Sequence, residues 1–324
     1  MARVGINVRG PVFAMLSEAV TRSTLQSYAR GCAHFVRWLV DQRLVGADAL
    51  ESDVLMFDDF SQLDNQLACF VNWVAVNQRP HSWASNAFWG LKFFNPALGR
   101  FGLPVAFALL RRLPRLRAAT VAPPLTWELT ALLSSSFLAQ GQPRMAVSVL
   151  LGFDCYLRVE ELVSLRKEDL VLEPGGGGRP VLQLRHTKTG GDVPQAVEVL
   201  RGELVPMLSA LSAATAPGEL LFPFSSRQLR AAMGQACVSW GLPIIFRCHS
   251  LRHGGATHDF RAGVPLDTIV LRGRWASLSS ARRYLQSARA ALHEVLACRS
   301  QCEEGKAILP LLLELIPVTL PALQ

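Results

Sequence analysis

Lysine is scarce in this 324-residue chain. Only four of its 33 basic residues are lysines (Lys92, Lys167, Lys188 and Lys306), leaving 29 arginines. A guanidinium grips phosphate through paired hydrogen bonds, whereas an ammonium is a mobile point charge that can give up its proton. Tyrosine is scarcer still, at three: Tyr28, Tyr156 and Tyr284. No Cys-x-x-Cys pair occurs among the seven scattered cysteines, which argues against a disulfide frame or zinc site and fits reduced thiols. No apolar run approaches the roughly 20 residues of a membrane span; the longest, 308–316, is interrupted by Pro310. The first 17 residues, with two arginines and no acid, have only a thin likeness to an organelle transit peptide.

What is present is a folded, basic protein. Half of the residues are hydrophobic and 18% are charged, which argues against disorder. A net charge of +8 and a pI near 9.5 favour a polyanionic partner such as nucleic acid. The length suits two domains. Up to residue 120 the chain carries 13 basic against 8 acidic residues and reads as all helix, at about 21–40, 62–76, 82–94 and 104–113. In the first of these Leu25, Tyr28, Cys32, Phe35 and Leu39 recur at steps of three and four, with Ser23 or Thr24 as the expected cap. The small residues and paired prolines of 118–125 read as a linker. Helices are expected next at 126–139 and 144–156, then strands at 169–173, 181–185 and 193–199 joined by turns. The Gly176–Gly178 run lacks the Lys-Ser/Thr of a phosphate-cradling loop and reads as a hairpin turn. Helices resume at 226–240, 251–262, 266–271 and 278–287, with no internal repeat.

The chemistry-bearing residues lie in this second part. Residues 156–162 read Tyr-Leu-Arg-Val-Glu-Glu-Leu, and 186–190 read His-Thr-Lys-Thr-Gly. Residues 249–257 read His-Ser-Leu-Arg-His-Gly-Gly-Ala-Thr; Gly273-Arg274-Trp275 follows, and Tyr284 comes nine residues after the tryptophan. Singly, each has a plain reading: Arg158 a surface arginine, Lys188 a hairpin tip, His249 a core histidine, Trp275 core. Jointly, and in this order, the set resembles the tyrosine recombinases, the family of phage integrases and chromosome-dimer-resolving recombinases. That family orders an Arg, a hairpin Lys, His-x-x-Arg, His or Trp, and Tyr, matched here by Arg158, Lys188, His249 with Arg252, Trp275 and Tyr284. Two departures stand out: Arg-Trp replaces the commoner Gly-His, and Leu285-Gln286 follows the tyrosine.

The resemblance implies a mainly α fold: a helical core-binding domain at 15–117, a linker at 118–125, an α+β catalytic domain with a small antiparallel sheet at 126–300, and a tail at 301–324. It implies a site-specific recombinase that needs neither metal nor ATP, cleaving DNA to a 3′-phosphotyrosine on Tyr284 and rejoining it. Arg158 and Arg252 would clamp the phosphate, Lys188 would protonate the departing 5′ oxygen, and His249 would serve acid/base and phosphate contacts. Trp275 would donate its indole N–H, and Glu161 would orient the site; Arg274, Arg282 and Arg283 are further candidates for DNA contact. Implied partners are double-stranded DNA and a homotetramer on paired sites, inside the cell and away from membranes. The apolar tail would dock on a neighbouring copy or pack on its own domain. A domesticated DNA-binding protein without catalysis and a topoisomerase-like relaxing enzyme are the alternatives.

Overall fold

The computed structural model describes residues 3–8, 20–115, 122–172, 178–185, 195–282, 285 and 298–320, the side chains of 100, 101 and 115 excepted. The chain divides into two units, Met1–Thr120 and Val121–Gln324.

The first unit is built on α1 (Arg22–Asp41), α2 (Phe60–Val76), α3 (His81–Phe94), α4 (Ala97–Phe101) and α5 (Pro104–Arg112). The apolar stripe of α1 buries Cys32, Phe35, Val36 and Leu39. Its cap is Thr21, whose extended backbone lets the hydroxyl accept from the Thr24 N–H at 3.3 Å; Ser23 and Thr24 already lie within the helix. Buried Asp64 of α2 caps α5, accepting from the backbone N–H groups of Val105 and Ala106 at 2.9 Å each. One feature departs from the all-helical expectation. Strand β1 (Val4–Asn7) pairs antiparallel with β2 (Val54–Phe57), Val4 opposite Phe57. Residues 4–7, ahead of the expected start at 15, therefore belong to this unit. Strands of only four residues, one of them with Gly5 and Asn7, carry too little alternation to be read from sequence.

The second unit opens with α6 (Trp127–Ala139), capped by Thr126, and α7 (Pro143–Asp154), which has proline in its first turn. Helix α7 is almost wholly buried and forms the centre of the core. After α8 (Val159–Ser164) come β3 (Leu170–Val171), β4 (Val181–Leu184) and β5 (Gln195–Glu198), an antiparallel sheet in the order β3-β4-β5. Its register puts Leu170 opposite Leu182, and Leu182 opposite Val197, so three buried side chains meet on the core face. The strands are shorter than expected, although 173 and 193–194 lie outside the described residues.

Helices α9 (Val205–Ala213), α10 (Ser226–Ser239), α11 (Cys248–Arg261) and α12 (Leu266–Gly273) follow. Residues 278–282 are helical, and α13 spans Arg299–Thr319. Helix α9 has no counterpart among the expected elements. Helix α13 packs on α6 and α9, burying Leu312 and Ile316, with Leu320 beyond its end, in the same core. The tail thus seats on its own unit despite Pro310 and Pro317, each of which removes a backbone donor from the helix. Among the described residues, no helix is long and apolar enough to cross a membrane.

Candidate active site

The site grows from the end of α7. Tyr156 adopts a left-handed backbone with φ of 49°, a region that bulky side chains disfavour. The turn is held by the Leu157 N–H donating to the Gly152 carbonyl at 3.1 Å, and the buried Tyr156 hydroxyl donates to the Asp259 carboxylate. Its effect is to present the Tyr156 carbonyl to two guanidiniums and to start α8 at Arg158.

Arg158 is the N-cap residue of α8, and Glu161 stands at the third helical position. One Glu161 oxygen accepts from the Arg158 backbone N–H at 2.8 Å; the other pairs with Arg158 Nη1 at 2.5 Å. This closes the carboxylate half of a capping box. Glu161 is buried, while the Arg158 side chain keeps 23% of its surface exposed. Burial alone would raise the Glu161 pKa. Arg274, the Arg158 backbone N–H and the Arg158 side chain outweigh it and hold the carboxyl below its ordinary value.

Helix α11 supplies His249 and Arg252, three residues apart and so on one face. Arg252 is only 1% exposed. Its Nη1 donates to the Tyr156 carbonyl at 2.5 Å, its Nη2 to the Gly273 carbonyl, and its guanidinium carbon lies 4.5 Å from the centre of the Trp275 ring. His249 keeps an accessible edge on a groove lined also by Arg230, Phe246 and Arg247. Partial dehydration, then the charges of Arg252 and Arg158, lower its pKa, so the imidazole is neutral at pH 7. The buried His253 ring packs 4.7 Å from that of His249.

The C-terminal end of α12 brings the third segment. Arg274 caps the helix in left-handed conformation, with φ of 54°, at a position where glycine is usual. Its side chain turns inward, 3% exposed, with Nη2 2.8 Å from the Glu161 carboxylate. The same guanidinium donates to the carbonyls of Cys155, Tyr156 and Arg272 at 3.4, 3.3 and 3.0 Å. Expected among the DNA-contacting arginines, it is instead enclosed by protein, and its charge is directed at Glu161. Trp275 is half-buried and folds back over its own helix end; a Cβ on Gly273 would lie 1.8 Å from the indole. Arg272 donates to the Glu198 carbonyl at 2.9 Å and to the Asp154 carbonyl at 2.6 Å, tying the end of β5 to α12.

Arg158, Glu161, His249, Arg252, Arg274 and Trp275 therefore converge from three separated stretches of chain. Arg282 is exposed in the helical residues 278–282. Lys188, Arg283 and Tyr284 lie outside the described residues. Two partners escaped the sequence reading: the Tyr156 carbonyl, which no side-chain motif encodes, and His253, adjacent to a predicted residue. Counting Arg158, Arg252 and Arg274 against Glu161 leaves two positive charges in excess, an arrangement suited to an anion. Among the described residues, no group of His, Cys, Asp or Glu could hold a metal ion.

Residues 128–291, half of the chain, match the model of the phage integrase family. No curated protein matches by sequence. Among solved structures the chain is similar to a lambda integrase dimer bound to a COC′ core site: 16% identity, TM-score 0.58, 84% of this chain and 91% of that one. It is similar also to XerH recombinase in a post-cleavage complex with palindromic difH substrate, at 16% identity and TM-score 0.53 over 85% of this chain and 79% of that one. The Tn1549 transposon integrase with circular intermediate DNA gives 16% identity and TM-score 0.53 over 83% and 98%. At such identities the likeness is one of fold; the match over 128–291 carries the family, and the chain belongs to the phage integrase family, the tyrosine recombinases.

Proposed function

We propose that this protein is a site-specific DNA recombinase that cuts one strand through Tyr284, holds it as a 3′-phosphotyrosine and rejoins it to another duplex. The observation that carries this reading is the convergence of Arg158, His249, Arg252 and Trp275 around the Tyr156 turn. In the reaction the Tyr284 phenolate oxygen attacks phosphorus and the 5′ oxygen leaves with a proton. The bond energy stays in the phosphodiester, so religation needs no high-energy cofactor. Arg158, partly exposed, and Arg252 beneath Trp275 supply positive charge where the pentavalent phosphorus gathers it. Neutral His249 accepts or relays a proton at the phosphate or the phenol. Lys188 is the proton source for the leaving oxygen, and Trp275 donates its indole N–H. The active assembly is a tetramer on paired sites, inside the cell with its DNA.

The test is covalent trapping on nicked duplexes taken from DNA flanking the gene. The expected outcome is a detergent-resistant protein–DNA adduct with the native chain and none with Tyr284→Phe. Salt-sensitive binding with no adduct would instead mark a DNA-binding protein without catalysis. Relaxation of supercoiled DNA with no partner duplex would mark a topoisomerase-like enzyme.

A further inference from the structure

We infer that Arg274 is a positioning residue for this reaction, acting through Glu161 to fix the Arg158 guanidinium; the inference rests on the function proposed above. Arg274 has its guanidinium turned inward and paired with the Glu161 carboxylate, which offsets its charge. Glu161 has two oxygens, and their partners divide the work. One takes the Arg158 backbone N–H and Arg274 Nη2, both at 2.8 Å, which fixes the carboxylate plane. The other is left directed at Arg158 Nη1 at 2.5 Å. A carboxylate held by Arg158 alone would follow that side chain as it moved. Held from behind by Arg274, it becomes a fixed anchor for a guanidinium whose outer surface faces solvent.

The backbone around Arg274 supports the same reading. Its left-handed conformation is one that glycine adopts without strain, yet an arginine stands there. The conformation puts the Arg274 N–H on the Leu271 carbonyl at 3.0 Å and the Trp275 N–H on the Val270 carbonyl at 3.1 Å. One residue thus closes α12, places Trp275 over Arg252, and sends its own side chain to Glu161. It also shares the Tyr156 carbonyl with Arg252, so both arginines proposed to clamp the phosphate are referred to one framework.

Loss of a buried ion pair that only stabilised the fold would lower stability and leave the two arginines independent. A positioning residue predicts coupling. The experiment measures the single-turnover rate of covalent adduct formation at saturating DNA, together with DNA affinity and melting temperature. The full-length native chain, R274K, R158A and R158A/R274K are compared. Lysine keeps the charge but loses the fork. R274K is expected to slow adduct formation about 10–100-fold, the scale of a small misplacement of a catalytic group, with DNA affinity within about twofold of native. R158A/R274K is expected to be no slower than R158A alone. A native rate for R274K, or a loss that multiplies fully with that of R158A, overturns the inference and leaves the proposed function standing. Should R274K not fold, E161Q with and without R158A gives the same cycle one bond closer to Arg158, and full multiplication there overturns it equally. If the native chain itself forms no adduct, the proposed function fails and the inference with it.

Discussion

His253 lies one turn along α11 from His249, buried, with its pKa lowered to about 3 by dehydration and then by His249 and Arg252. In the unfolded chain the same imidazole titrates near 6.5. Above that value both states are neutral there and His253 has no effect on the pH dependence. Below it the unfolded state takes up a proton that the folded state refuses, so stability falls with pH until about 3, by about 1.4 kcal/mol per unit from this group. His253→Gln is expected to flatten urea-unfolding stability between pH 6 and 5 by about that slope; an unchanged slope would show that the imidazole is not held neutral. His249 is shifted in the same direction and adds to the native slope. At this scale much of the site was legible. Arg158, Glu161, His249, Arg252 and Trp275 were readable from motif order, because the side chains needed around a phosphate come in few kinds. Arg274 reads from sequence as a candidate for DNA contact, since its inward turn depends on a left-handed backbone and on Glu161 being buried. The Tyr156 carbonyl was invisible, since every residue has one.

Among the elements, those with strong helical periodicity emerged within a few residues of expectation, as α1, α2 and α3 show, whereas those defined by long-range partners did not. Strands β1 and β2 exist because they pair with each other, and α9 because it packs beside α13. Helix α13 is the instructive case: the apolar residues around Pro310 leave open docking on a neighbouring copy or packing on their own domain, and they form a helix of the core. It comes close to α6 at Gly305, where a Cβ would stand 2.1 Å from the Glu128 carbonyl oxygen, a backbone atom that cannot swing aside. Gly305→Val is therefore expected to destabilise the second unit by about 1–3 kcal/mol, the usual cost of overpacking. Gly234→Ala in α10, where a Cβ meets nothing within 4 Å, is expected to stabilise it by about 0.5–1 kcal/mol. Chemical unfolding of both variants checks the pair. If Gly305→Val were as stable as the native chain, α13 would not be seated on α6 as described.

At the scale of the whole molecule, the two units have separate cores. One cluster is built around Phe35, Phe70 and Phe88, and the other around Phe137, Phe153 and Phe222. Each unit therefore has the apolar interior needed to fold alone. The division of charge bears on function: residues 1–120 carry 13 basic and 8 acidic side chains, and the second unit holds the candidate site. If both units grip phosphates on one duplex, each neutralised phosphate releases counterion. The logarithm of affinity then falls with the logarithm of salt by about 0.9 per phosphate. Residues 121–324 alone would contact only the phosphates near the site and show a shallow slope. The full chain would show a steeper one, by about 0.9 for every phosphate held by the first unit. Titrating duplex DNA against both proteins across a series of salt concentrations measures that difference directly. A steeper slope for the full chain marks the first unit as a DNA-binding half. Equal slopes would mean that it makes no ionic contact with DNA, and the second unit alone would then hold the site.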